Sequence, residues 1–179
     1  MTPARPGKAK SSAAAPCVNI HATAIRLGKA GAAFGAPASA GVLLVGPSGS
    51  GKSDLALRLI ALGAELVADD RTDLFTRNGA LWARVPARIA GLLEVRGVGI
   101  LALPHVKQVR VALVADLGKA PDRLPEPARF ATPAALRLPL EAAPPVISLS
   151  PFEASAPAKV AAAAAASTKG LYREDVNPN

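Results

Sequence analysis

Eight consecutive residues, Gly46-Pro47-Ser48-Gly49-Ser50-Gly51-Lys52-Ser53, reproduce the spacing G-x-x-x-x-G-K-S/T. Glycines at this spacing let the backbone turn so that successive N–H groups aim inward, where phosphate oxygens accept from them. A helix opening near Lys52 adds its positive end at the same point. Lys52 is long enough to reach β- and γ-phosphates, and the Ser53 hydroxyl is suited to magnesium. The pattern therefore predicts a nucleoside triphosphate site. A chance glycine-rich turn would match the spacing but not the flanks. Val42–Val45 is a short apolar run of the kind a buried parallel strand produces, and Leu55, Leu59 and Leu62 follow at helical spacing before Gly63.

Acidic residues come next. Asp69 and Asp70 fall at the end of a short strand over 65–68, where a carboxylate beside a phosphate loop can hold magnesium through water or take a proton from a nucleophile. Aspartates also open turns, so a purely structural role fits the same residues. Adjacent carboxylates on a strand point to opposite sides, which leaves one for the γ-phosphate and one for a neighbouring backbone or arginine. In G-L-L-E-V-R-G-V-G-I-L-A-L, Glu94 and Arg96 share one face of an expected strand, followed by Gly97 and Gly99. The pair reads either as a sheet ion pair or as a magnesium ligand with a phosphate contact. His21 is a lone strand histidine, and Asp122-Arg123 sits in a loop.

The elements that must position these groups are mostly strands. A strand is expected over 18–27, carrying His21 and Arg26, and a loop or hairpin connection over 28–41. Asn78-Gly79 marks a hairpin over 73–85. Further strands are expected over 109–115, 136–140 and 146–149, a proline-broken loop over 116–130, and an alanine-rich helix over 159–168 with a frayed end from 170. Residues 1–16 read as a disordered basic tail and 17–179 as a single P-loop domain. The fold class is α/β, a P-loop nucleotide-binding domain with a strand-rich mixed sheet and few helices.

Composition bounds the partners. Twenty-one basic residues against 13 acidic ones give a net charge of +8, which would suit nucleic acid or an acidic protein. Aromatics are only 3% and none is interleaved with a basic cluster, so the expectation is no nucleic acid. One cysteine, Cys17, excludes an intramolecular disulfide and fits a reducing compartment. No run reaches the length of a membrane span and the N-terminus lacks a secretory core, so the expectation is a cytoplasmic protein without a membrane anchor; an organellar transit peptide is the lesser alternative.

The order of a histidine-bearing strand, G-P-S-G-S-G-K-S-D, A-D-D-R-T-D and L-L-E-V-R-G-V-G-I resembles the catalytic domain of HPr kinase/phosphorylase, over roughly residues 18–125. The resemblance implies ATP and Mg2+ as cofactors, with inorganic phosphate or pyrophosphate in the reverse direction, and an HPr-like phosphocarrier of a phosphotransferase system as protein substrate. It implies that residues 46–53 cradle the triphosphate and that Ser53 and Glu94 are the metal ligands. Asp69 would be the base that accepts the seryl proton and returns it when phosphate attacks phosphoserine. His21 matches the active-site histidine and Arg123 an assisting arginine, with Asp70, Arg96, Gly97 and Gly99 in support. A homo-oligomer, a hexamer in the family, is implied as well.

Several departures accompany the resemblance, among them a longer loop between His21 and Gly46 than in typical members. Family members carry a separate N-terminal domain where this sequence has a short tail, so a form consisting of the catalytic domain alone is expected. The late segment P-V-I-S-L-S-P-F-E-A-S-A-P-A-K-V lacks the arginine that the family links to dephosphorylation, which leaves the phosphorylase reaction open beside the kinase reaction. The C-terminal helical part is shortened, leaving assembly and docking open. Two other classes stay in view: a small-molecule P-loop kinase, with the 122–129 loop as its lid, and a nucleotide-dependent regulatory ATPase.

Overall fold

The computed structural model describes residues 16–170, as eleven strands and two α-helices among those residues. The tail expected over 1–16 lies outside the described residues except for Pro16, and so does the end expected to fray beyond Gly170. The fold is mixed α/β, rich in strands and poor in helices.

Its centre is β3 (Gly41–Val45), which pairs parallel with β9 (Gln108–Asp116) and antiparallel with β2 (Thr23–Arg26). Val42, Leu43 and Leu44 have no exposed surface, because the strand is covered on both faces. Val42 and Leu44 join one core with α1 (Lys52–Ala61) and α2 (Ala156–Lys169), whereas Leu43 joins a second with Leu74, Leu81 and Leu136. Period-2 alternation sends neighbours to opposite cores. β4 (Glu65–Ala68) extends the sheet beyond β2, giving the order β1-β5-β6-β9-β3-β2-β4. Here β1 is Cys17–His21, and β5 (Arg71–Arg77) and β6 (Ala80–Arg84) are joined at Asn78-Gly79, whose φ of 51° and 70° make the expected tight hairpin.

The helices cover one face. α1 buries Leu55, Ala56 and Leu59 and stops at Leu62, with Gly63 at φ 98° reversing the chain. α2 presents Val160, Ala164 and Ala165 to the same core, and alanine allows close approach while favouring the helix. None of the helices among the described residues is long and apolar enough to cross a membrane.

Four expectations change. The strand over 18–27 is two strands broken at Ala22: β1 pairs with β5, while β2 runs between β3 and β4. Glu94 and Arg96 do not share a strand, because the segment folds into a separate hairpin of β7 (Leu92–Val95) and β8 (Gly99–Ala102) with Arg96 in the turn. Residues 134–136 and 140–142 form 3-10 turns in place of a strand, each entered from a proline that sets the local φ. The 116–130 loop contains a two-residue strand, β10 (Ala128–Arg129), against β11 (Pro145–Ser148), and β11 continues the sheet parallel to β9.

Candidate active site

β3 delivers the chain into the glycine-rich turn and α1 takes it away. Gly46, Gly49 and Gly51 adopt φ of 145°, 79° and 85°, a region that disfavours other residues. A Cβ on Gly46 would lie 2.7 Å from Ser50 Oγ, so this turn is also too tight for a side chain. Ser50 Oγ is buried without a hydrogen-bond partner. Lys52 is buried and its ammonium donates to the carbonyls of Gly46 (3.0 Å) and Pro47 (2.9 Å), curled over the loop. Burial pushes its pKa down, and the negative charges of Asp69 and Asp70 act in the opposite direction.

Asp69 is the hub. It is 5% exposed and accepts from Thr23 Oγ1 (2.7 Å) and Ser53 Oγ (2.9 Å) at Oδ1. At Oδ2 it accepts from Ser53 Oγ (3.1 Å) and the Glu94 N–H (3.3 Å). The stronger contacts hold Oδ1, leaving Oδ2 the more available oxygen. Four elements therefore meet on one carboxylate: β2, α1, the turn after β4, and β7.

The break at Ala22 explains how. Thr72 Oγ1 donates to the Ala22 carbonyl (2.8 Å) and pins the bend. On one side of it β1 ends with His21 opposite Arg71, and on the other β2 begins with Thr23. His21 Nε2 thus lies 3.3 Å from Asp70 Oδ1 while Thr23 reaches Asp69. Asp70 takes φ 61° in a turn closed by the Arg71 N–H on the Asp69 carbonyl (2.6 Å). This turn, rather than a strand pleat, separates the two carboxylates into one buried and one exposed.

The structure gathers His21, Ser48, Gly49, Gly51, Lys52, Ser53, Asp69, Asp70, Glu94 and Arg96 around a cleft of about 320 Å³. Arg96 reaches over the loop, its Nη2 3.8 Å from where a Gly49 Cβ would stand. Gly46, Pro47 and Ser50 form the underside of the loop, with Gly46 against the 117–118 backbone. Gly97 and Gly99, at φ 78° and 126°, shape the β7–β8 turn and do not line the cleft. Arg123 is exposed on the loop after β9, also away from the lining. Two residues of the site carried no motif: Thr23, whose partner is 46 positions away, and Phe152, which lines the cleft from the segment before α2.

The donor set suits a magnesium ion that arrives with phosphate. Among the described residues no three His, Cys, Asp or Glu side chains cluster as a dedicated metal cage. Magnesium of this kind takes one or two protein oxygens and fills its other positions with phosphate and water. Ser53 Oγ and the Glu94 carboxylate beside the loop fit that requirement.

Comparison with known proteins finds similarity to one family over part of the chain. Residues 37–110 match the model of the HPr Serine kinase C-terminal domain. The HPr kinase/phosphorylase of Leptothrix cholodnii is 55% identical over 85 residues, covering 43% of this chain and 26% of the relative. That of Streptococcus thermophilus is 50% identical over 62 residues, covering 34% of this chain and 20% of the relative. This chain thus spans only a fifth to about a quarter of the length of these curated relatives. The solved structure of the Hpr(Ser) kinase/phosphatase from Coxiella burnetii superposes with a TM-score of 0.60 at 26% identity, covering 80% of this chain and 91% of that one.

Proposed function

We propose that this chain, related through its 37–110 segment to the HPr kinase/phosphorylase family, is an ATP-dependent protein-serine kinase acting on an HPr-like phosphocarrier. One observation carries the reading: Lys52, Ser53 and Asp69 meet at the mouth of a glycine loop, with Ser53 hydrogen-bonded to Asp69. The backbone N–H groups of 46–51 and the start of α1 bind the polyphosphate. Lys52 leaves its two carbonyl partners for the phosphates. Ser53 and Glu94 would hold the magnesium ion, which supplies charge neutralisation on the transferring phosphate.

Asp69 accepts the proton of the incoming seryl hydroxyl as the seryl oxygen bonds to the γ-phosphorus and the bond to the β-γ bridging oxygen breaks, releasing ADP. Thr23 holds Asp69 Oδ1, which orients Oδ2 toward the incoming group. His21 and Asp70 sit beside this point as a coupled pair, and Arg96 supplies positive charge over the loop. Support from Gly97 and Gly99 is limited to the shape of the hairpin, and a role for Arg123 requires its loop to fold inward or to meet another subunit. We place the protein in the cytoplasm, as a homo-oligomer and a single domain.

The test mixes purified protein with Mg-ATP and an HPr-type phosphocarrier and reads the carrier's intact mass. One added phosphate supports the kinase; its loss when excess inorganic phosphate replaces ATP adds the phosphorylase reaction. ATP binding without any addition to the carrier points to a small-molecule kinase.

A further inference from the structure

The cleft is lined by carboxylates and by an aromatic ring. Asp69, Asp70 and Glu94 line it, with Asp69 bonded to Ser53, and so do Asp54, Leu57 and Phe152, the last packed against Gly51. The Asp54 carboxylate is engaged, accepting from Arg58 Nε at 3.0 Å. Phe152 is 71% exposed although it is one of only four phenylalanines. A ring that open forgoes the burial that normally stabilises it.

Phe152 is nevertheless held in place. A Cβ on Gly51 would lie 2.9 Å from its Cζ and 3.1 Å from Pro151 Cγ, so the ring can pack against the loop because Gly51 has no side chain there. Arg58, projecting from α1, donates to the carbonyls of Pro151 and, at 3.1 Å, Glu153, which clamps both neighbours of Phe152. The Glu153 carboxylate in turn pairs with Lys159 on α2. The outcome is an exposed aromatic face fixed at the edge of the phosphate loop.

We propose that Phe152 is the platform on which the base of the bound nucleotide stacks. The inference rests on the reading of 46–53 as a polyphosphate cradle. The transferring phosphate lies beside Asp69, which bonds Ser53, and the polyphosphate runs from there along the loop past Gly51, where Phe152 stands. The carboxylates of Asp69, Asp70 and Glu94 repel the nucleotide, whereas the exposed ring offers it a flat apolar face. Stacking on a pre-positioned ring costs little side-chain entropy, and the clamp by Arg58 supplies that positioning.

Calorimetric titration of the full chain with Mg-ATP and, separately, with magnesium and inorganic tripolyphosphate tests this. Base–aromatic stacking corresponds to about 5- to 150-fold in affinity. Phe152→Ala should weaken ATP by that factor and leave tripolyphosphate within about twofold, and Phe152→Tyr should retain wild-type ATP affinity. Unchanged ATP affinity in Phe152→Ala, equal loss of both ligands, or failure of Phe152→Tyr to bind ATP would overturn the platform. A wild-type chain that binds ATP while Phe152→Ala also binds it normally refutes the platform alone. Wild-type protein that binds neither ligand refutes the cradle itself.

Discussion

Replacing Asp69 by Asn removes a charge and reverses one hydrogen-bonding atom while keeping the shape. The amide oxygen can continue to accept from Thr23 and Ser53, which now stand 2.7 and 2.9 Å from Oδ1. The new NH2 group then faces the Glu94 N–H, donor against donor, in place of the 3.3 Å bond. A buried donor left unsatisfied costs about 1–3 kcal/mol, and the length of this bond puts the cost near the lower figure. A domain with about 5–15 kcal/mol of stability survives that loss. Transfer should suffer far more. A positioned base contributes about 10²–10⁴-fold, or roughly 3–5 kcal/mol of barrier.

A second readout is independent of chemistry. Asp69 and Asp70 both raise the Lys52 pKa against the burial that lowers it. Without Asp69 the Lys52 pKa falls further, so its ammonium is lost at a lower pH and ATP affinity should decline on the alkaline side earlier than in wild type. The assay combines single-turnover transfer to the phosphocarrier, ATP titration across pH, and a urea midpoint. Asp69→Asn with wild-type transfer at matched ATP occupancy would refute Asp69 as the base. An unmoved alkaline limb would refute its electrostatic coupling to Lys52.

Two further outcomes follow from the same geometry. Thr23→Val is nearly isosteric, has no exposed surface and removes the shortest bond to Asp69, so the urea midpoint should fall by an amount equivalent to about 1–3 kcal/mol, with kcat reduced more than ATP affinity. A wild-type midpoint would show that Thr23 does not hold the base. Glu65 accepts from Arg26 Nε and Nη2 at 2.6 Å each, and that bonding holds its pKa below the usual carboxylate value. A folded pKa below the unfolded one means that the pair's stabilisation is complete above about pH 4.3 and disappears as pH falls through the folded value. Because both side chains are more than a third exposed, Glu65→Gln should cost under about 1 kcal/mol at pH 7, a difference that denaturation at lower pH should erase.

The parts of this fold that the sequence disclosed are those whose cause is local. The glycine loop, the Asn78-Gly79 hairpin, the 65–68 strand and the alanine-rich helix each carry their own turn chemistry or periodicity, and they appear where expected. The 92–102 segment failed for a local reason too. Its apolar positions change parity between Val95 and Val98, and Gly97 and Gly99, at φ 78° and 126°, make the turn that separates a hairpin from a single strand.

The break at Ala22 is a different matter. V-N-I-H-A-T-A-I-R-L alternates through Ala24, past the bend, and contains no glycine or proline, so nothing at Ala22 announces a bend. The bend is imposed by partners: β5 on one side, and β3 and β4 on the other, with Thr72 bonding the Ala22 carbonyl from fifty positions away. That same bend sends His21 to Asp70 and Thr23 to Asp69. The glycine-loop residues were legible because a tight turn between a strand and a helix restricts their types and spacing. Thr23 and Phe152 were not, since a hydroxyl that steadies a carboxylate and a ring that leans on a glycine are recognised only when distant segments have been brought together. Straightening the chain at Ala22 would leave every motif in the sequence intact and still separate His21 and Thr23 from the two carboxylates they serve.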